Sequence, residues 1–202
     1  LGEVLQTEDW LAPPTDLTCI RALPNGSMVG FSKRRLCFSE PYHAHAWPEE
    51  YQYDVDYDIV GVEVFGSSVF VGTKGAPYVF TGVHPRQMSP RRINVVEPLQ
   101  SQEALVNVGD RILYISPNGI MSVSDIGVEN FTANAFTPEQ WRREVDLQDD
   151  TKYRMFFYNN NIVDIVRSSE VGEVDGSASD QAILSIHVNA MGVDFSSPDS
   201  QT

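Results

Sequence analysis

The stretch Leu17–Glu40, LTCIRALPNGSMVGFSKRRLCFSE, contains three short apolar runs separated by two polar turns, Asn25-Gly26 and Lys33-Arg34. Asn and Gly tolerate the positive φ that tight hairpins require, so the first turn reads as a β-hairpin turn. The whole stretch reads strand, turn, strand, turn, strand: a small antiparallel meander. The pattern recurs at Ile59–Gly82 (IVGVEVFGSSVFVGTKGAPYVFTG) and Glu103–Asp125 (EALVNVGDRILYISPNGIMSVSD). It recurs in part at Thr151–Ser169 (TKYRMFFYNNNIVDIVRSS). The first turns fall at Asn25-Gly26, Gly66-Ser67, Gly109-Asp110 and Asn159-Asn160, and the next at Lys33-Arg34, Lys74-Gly75 and Asn118-Gly119. With Gly26, Gly66, Gly109 and Asn160 as markers, the spacings are 40, 43 and 51 residues.

A meander repeating at that period is the signature of propeller blades. The competing reading is a β-sandwich, whose strands follow at similar intervals. The expectation is a mainly β, β-propeller-like chain of antiparallel meanders. Its repeat domain spans 1–166, with units near 17–40, 59–82, 103–125 and 151–166. Residues 167–202 are read as an acidic, Ser-rich loop, one strand (182–188) and a loose C-terminus. Three and a half units leave sheet edges open, which is hazardous for an isolated chain. The array is therefore expected to be completed by further residues or by neighbouring subunits. One short helix is expected near 137–144: Thr137 as N-cap, Pro138 at the first helical position, Gln140 where a capping box needs Glu or Gln, and Trp141 docking it.

The chain holds 28 acids against 14 bases, a formal net charge of −14. Residues 37–64 carry seven acids and no base. Such a chain repels phosphate, so a nucleic-acid clamp is excluded as its role. The sequence has no apolar run of the roughly 18 residues a membrane helix needs, and no membrane role is expected. Cys19 and Cys37 sit in strand-like runs and read as free thiols rather than a disulfide framework.

The segment Leu36–Asp58, LCFSEPYHAHAWPEEYQYDVDYD, invites three readings. As a metal site it has Cys37, His43 and His45, but no second ligand pair to close a zinc tetrahedron. Asp54, Asp56 and Asp58 have the spacing that begins a calcium loop, yet Ile59 and Phe65 stand where that loop needs Gly and Glu. As a catalytic loop it offers Glu40, Glu49 and Glu50, pairs of the kind any acidic protein offers. The chain has no G-x-S-x-G, H-E-x-x-H or P-loop motif, so no enzyme activity and no cofactor are expected. The third reading is a connector: Pro41 and Pro48 stop the strands, and Tyr42, Trp47 and Tyr51 pin the loop to its own blade or to a neighbour. Arg86, Arg91 and Arg92, with His84, Pro85 and Pro90, read as a basic loop docking on the acidic 49–58 face of the next subunit.

The runs Leu23-Pro24-Asn25-Gly26, Gly30-Phe31, Leu36 to Tyr42 and His45-Ala46-Trp47-Pro48 resemble structural proteins of tailed bacteriophages. So do Ile59-Val60-Gly61, Phe65-Gly66, Val71-Gly72-Thr73, Pro77-Tyr78 and Gly82, and the Phe136–Trp141 stretch resembles the helix that follows in them. The resemblance is to tail nozzle (tail tubular) proteins and packaged-DNA-stabilising tail proteins of short-tailed phages, over roughly 15–145. It implies a virion subunit of the tail or head–tail connector. It further implies a homo-oligomeric ring, contact with other tail or connector proteins, and genomic DNA passing without specific binding. Asp54, Asp56 and Asp58, or the acidic stretch 164–180, would then face the channel. The alternative is a propeller-type module that recognises a glycan or a protein, with Trp10, Trp47 and Trp141 as candidate stacking residues.

Overall fold

The computed structural model describes residues 11–124, 127–144, 152–158, 162–168, 181–189 and 192–196. Among the described residues, sixteen strands form four antiparallel sheets of four, each a meander in which every strand pairs with its sequence neighbours. The first sheet comprises β1 (Thr18–Ala22), β2 (Met28–Ser32), β3 (Arg35–Phe38) and β4 (Gln52–Asp54). The second comprises β5 (Ile59–Phe65), β6 (Ser68–Thr73), β7 (Tyr78–Thr81) and β8 (Ser89–Arg92). The third comprises β9 (Leu105–Asn107), β10 (Ile112–Ser116), β11 (Gly119–Val123) and β12 (Val128–Asn130). The fourth comprises β13 (Lys152–Tyr158), β14 (Ile162–Ser168), β15 (Gln181–Asn189) and β16 (Gly192–Ser196). This is the propeller-like, mainly β architecture that the repeat predicts, with sheets of blade type.

The turns form for local reasons. Between β1 and β2, Leu23 N–H donates to Ser27 O (2.8 Å) and Gly26 N–H to Leu23 O (3.1 Å). Asn25 Oδ1 accepts from Ser27 N–H (3.0 Å), an Asx turn that spares the backbone a lost partner. Gly26 has φ +81°, and a Cβ there would stand 2.6 Å from the Tyr42 ring, so both conformation and space require glycine. β1 carries a bulge between Thr18 and Arg21, with Cys19 at φ 54°. A bulge on an edge strand disrupts the ladder that would otherwise template aggregation.

The chain divides into two compact units, Leu1–Val96 and Glu97–Thr202. In the first, β1 and β2 lie against β5, and Val29, Phe31, Leu36 and Phe38 of the first sheet share a core with Val62, Val69, Val71 and Phe80 of the second. Strand β6 is buried along its whole length, as expected for a central strand covered on both faces. In the second unit, Leu113, Ile115 and Ile120 pack with Tyr153, Met155, Val163 and Ile165. Helix α1 (Pro138–Glu144) joins that core.

The helix forms as expected. Gln140 N–H donates to Thr137 Oγ1 (3.2 Å) and Thr137 N–H to Gln140 Oε1 (2.9 Å), a complete capping box. Phe136 meets Trp141 edge-on at 5.9 Å, the hydrophobic staple that sets the entry angle. Trp141 is 1% exposed, and its indole N–H donates to Ser116 O (3.0 Å).

The C-terminal third differs from expectation. Residues 167–202 hold two strands rather than one, and both belong to the fourth sheet: Ile186 pairs with Phe195 and Val188 with Val193. The physical reason is that a long acidic stretch, 169–180, separates the two hairpins in sequence and hides their continuity. Residues 86–92 also differ: Ser89–Arg92 is a strand, the outer edge of the second sheet, where Pro90, which has no N–H, is tolerated because an edge strand pairs on one side only.

Trp141→Ala is expected to lower stability by about 3–5 kcal/mol, the cost of emptying a packed aromatic site. Thr137→Ala is expected to cost about 1 kcal/mol through the lost cap. Urea unfolding midpoints measure both, and equal losses would show that the cap, not the docked indole, holds the helix in place.

Candidate functional site

The residues that sequence reading singles out meet where the connector after β3 reaches the outer edge of the second sheet, within the Leu1–Val96 unit. The connector is folded on itself. Glu40 N–H donates to Ala46 O (2.9 Å), His43 N–H to Glu40 O (3.0 Å) and Ala46 N–H to His43 O (3.0 Å). Trp47, 2% exposed, donates its indole N–H to Ala44 O (2.9 Å) and its backbone N–H to Leu11 O (2.9 Å). Trp47 is thus buried within the folded connector.

Tyr51 is buried, with His84 edge-on at 5.5 Å and the Arg86 guanidinium over its ring at 5.9 Å. Burial, reinforced by a hydrogen bond to the Glu40 carboxylate, pushes its phenol up to about 12. His84 Nδ1 accepts from Arg86 N–H (3.2 Å) and caps the short 3-10 turn Pro85–Gln87. Tyr53 donates its hydroxyl to Pro85 O (2.6 Å), and its ring lies between Phe38 (5.9 Å) and Phe80 (5.6 Å).

The charges are arranged otherwise than expected. Arg86 forms an ion pair with Glu50, and Arg92 with Asp56 at 3.2 Å. The acidic segment 49–58 thus meets basic residues of its own chain, Arg86 in the turn before β8 and Arg92 at its end. Asp56 also accepts from the Tyr78 hydroxyl (2.6 Å), and Arg92 lies over the Tyr57 ring at 5.7 Å. Asp54 pairs with Arg35 at 3.0 Å. Asp58 is exposed, and its carbonyl accepts from Lys74 N–H (2.9 Å). The three aspartates lie on or just after β4, at the edge of the first sheet opposite β1. Arg91 is exposed on β8 and has no ion pair among the described residues.

Tyr42 does not bury against its blade: it is 82% exposed, at φ 63°, with its backbone N–H on Gly26 O (2.8 Å) and its ring over Gly26. Of the candidate stacking residues, Trp47 and Trp141 are buried and Trp10 lies outside the described residues. In the stretch 164–180, Asp164 lies half-buried on β14 and 169–180 fall outside the described residues. Among the described residues no group of three or more His, Cys, Asp or Glu side chains is placed to hold a metal ion. Burial pushes the Cys37 thiol up to about 11, which leaves it protonated and a poor ligand. Cys19 is only half-buried, with its thiol 3.6 Å from Val62 O.

One feature escaped sequence reading. Leu23, Pro24 and Asn25 of the first turn, Ser67 of the next sheet, and Gly82 and Val83 line an apolar groove of about 220 Å³. Asn25 Nδ2 ties its two sides together through Val83 O (3.1 Å), while the Val83 side chain is 79% exposed. No periodicity marks such a groove, because its walls come from two turns and a strand end.

No known family model matches the chain, and no curated protein matches it. Among solved structures, it is similar to the N-terminal domain of Nup159, at 11% identity and a TM-score of 0.39. The match covers 92% of this chain and 62% of that one, so the chain spans less than two thirds of its length. At that score the likeness carries no argument, and the architecture rests on the four sheets themselves.

Tyr51 generates a pH prediction. Its folded value lies above its ordinary value of 10.0, so the neutral phenol stabilises the fold, fully below pH 10 and decreasingly as pH rises towards about 12. Tyr51→Phe is expected to flatten that alkaline loss of stability, leaving what Tyr114 and Tyr78, also raised by burial, contribute. Urea midpoints measured across this range decide it; an unchanged slope would place the phenol in water. Trp47→Ala is expected to cost about 3–5 kcal/mol in the same assay.

Proposed function

We propose that this chain is a structural subunit of a larger assembly, acting by shape and surface rather than by chemistry. What carries the reading is how the reactive side chains of the connector are used. Glu40, Glu50, Tyr51, His84 and Arg86 form one bonded group between the two sheets, and Asp56, Tyr78 and Arg92 form another. A general acid or base needs a partner-free face towards substrate, and these groups face each other. The resemblance of roughly 15–145 to tail nozzle and packaged-DNA-stabilising proteins of short-tailed phages makes the assembly a virion tail or head–tail connector. Surplus negative charge suits a wall past which DNA slides without specific contacts.

A second reading, a propeller-type module that binds a protein, is favoured by the apolar groove with the exposed Tyr42 and Val83 beside Gly26 and Gly82. A rigidly held, exposed tyrosine is a common anchor at interfaces. A glycan site of the stacked-tryptophan kind is disfavoured, since Trp47 and Trp141 are both buried.

Peptide mass spectrometry of purified phage particles tests the first reading: the chain is expected in stoichiometric amount with tail proteins, and its absence from the particles overturns it. The isolated chain is expected not to retard duplex DNA in a gel at physiological salt. Tight binding there would overturn the non-stick wall. If particles lack the chain and Tyr42→Ala abolishes capture of a cellular protein, the second reading takes its place.

A further inference from the structure

The first unit carries a protruding aromatic ring and an apolar hollow on the same turn, the one between β1 and β2. Tyr42 is 82% exposed, with its backbone at φ 63°. Its N–H donates to Gly26 O (2.8 Å) and its ring lies over Gly26, where a Cβ would stand 2.6 Å from it. The preceding residues of that turn, Leu23, Pro24 and Asn25, form one wall of the groove. Ser67, Gly82 and Val83 form the other, and Asn25 Nδ2 joins the two walls on Val83 O (3.1 Å). Ring and groove are thus both positioned by hydrogen bonds to the backbone.

A positive φ is unfavourable for a bulky residue, and a ring left in water buries little apolar area, so the single chain gains little from tyrosine at this position. The groove, of about 220 Å³, has room for one aromatic side chain, and no charged residue lines it among the described residues. It therefore suits an uncharged occupant. Tyr42 has that chemistry and is not among the residues lining the groove of its own chain. The described part of the unit, 11–96, carries eight acids and eight bases, so two copies approaching through it meet no net repulsion from these residues.

We propose that this face is a two-fold interface between copies of the chain, in which Tyr42 of each copy seats in the groove between Leu23 and Val83 of the other. The inference rests on the reading of this surface as protein-binding and names its partner. Because ring and groove belong to one turn, a single two-fold axis satisfies both contacts at once, the self-complementarity that an isologous interface requires. Tyrosine suits the role, since its ring is buried by the partner while its hydroxyl reaches the polar rim, where Ser67 is exposed. Val83, 79% exposed, closes over the seated ring and is itself removed from water. Such a contact closes at two copies, and within a larger assembly it pairs subunits.

Sedimentation velocity of the full chain over a concentration series tests this. Wild type is expected to form a reversible dimer. Tyr42→Glu and Val83→Lys, each alone, are expected to weaken it at least about thirtyfold, the loss typical of an interfacial anchor. Both side chains are exposed in the single chain, so urea midpoints measured where wild type is monomeric are expected to stay unchanged. An equal mixture of the two variants is expected to restore association, because one of its two contacts is then native and the other joins opposite charges. The wild-type dimer is expected to persist from about 0.1 to about 1 M salt, as the Debye length falls from about 10 to about 3 Å, because the contact is apolar. A wild-type chain that stays monomeric overturns the inference and leaves the groove to a foreign protein, whose capture Tyr42→Ala still abolishes. A dimer that survives both substitutions, that the mixture fails to restore, or that dissociates in high salt overturns the pairing of Tyr42 with the groove.

Discussion

The Tyr53 ring, edge-on to Phe38 on one side and to Phe80 on the other, is the contact on which the first unit depends. Strand β4 has only three residues, too few for ladder bonds alone to hold it. Edge-to-face aromatic pairs contribute about 0.5–1.5 kcal/mol beyond burial, and Tyr53 makes two while donating its hydroxyl to Pro85 O at 2.6 Å. With β4 held against the second sheet, Tyr51 comes under Arg86, Asp56 reaches Tyr78 and Arg92, and the acidic connector finds its counter-ions. The surface ion pairs themselves stabilise little, since exposed pairs are screened by water and salt. They set register once the aromatic contacts have brought the sheets together.

A second regularity lies beneath the apolar repeat. The second strand of each of the first three sheets ends in a hydroxyl residue: Ser32, Thr73 and Ser116. Thr73 Oγ1 accepts from Gly75 N–H (3.0 Å) and Ser116 Oγ from Asn118 N–H (3.4 Å), so each hydroxyl organises the turn that follows. Ser32 and Ser116 also donate to carboxylates that precede their own sheets, Asp16 and Glu97. In the third sheet Glu97 further accepts from Asn118 Nδ2 (2.8 Å), and Arg142 of the helix reaches Asn118 Oδ1. In the second sheet the Tyr57 ring lies over Gly75. These turns are thus covered by their own chain, while the cationic heads of the first sheet's turn point outward.

Some of this organisation was legible from residues alone. Asn25-Gly26 and the glycines at 66 and 109 marked hairpins because only a few residue types accept positive φ, and those three glycines lie at φ 81°, 55° and 104°. Thr137, Pro138 and Gln140 marked a helix start because capping is a contact between neighbours in sequence. Trp47 marked an anchored connector because prolines on both sides left a large apolar side chain with no strand to join. Each of these signals acts within a few residues, and so survives without knowledge of the fold.

What the chain contacts at a distance was decided by the tertiary structure. Tyr42 and Trp47 look alike as aromatic anchors, yet one is 82% exposed and the other 2%: the Tyr42 ring lies over the Gly26 turn, while the Trp47 indole is tucked into the connector on Ala44 O. Arg86 and Arg92 read as free cations until β8 is seen beside the connector, more than 30 residues away in sequence. The run 182–188 was legible as a strand, but β16, and the pairing of both with β14, were hidden because pairing across a long acidic insertion leaves no local mark. Hairpins, caps and breaks in the chain follow from short-range sterics and hydrogen bonding, which the order of residues states directly. Which aromatic is buried and which charge is paired depend on packing between sheets, and that exists only once the chain has folded.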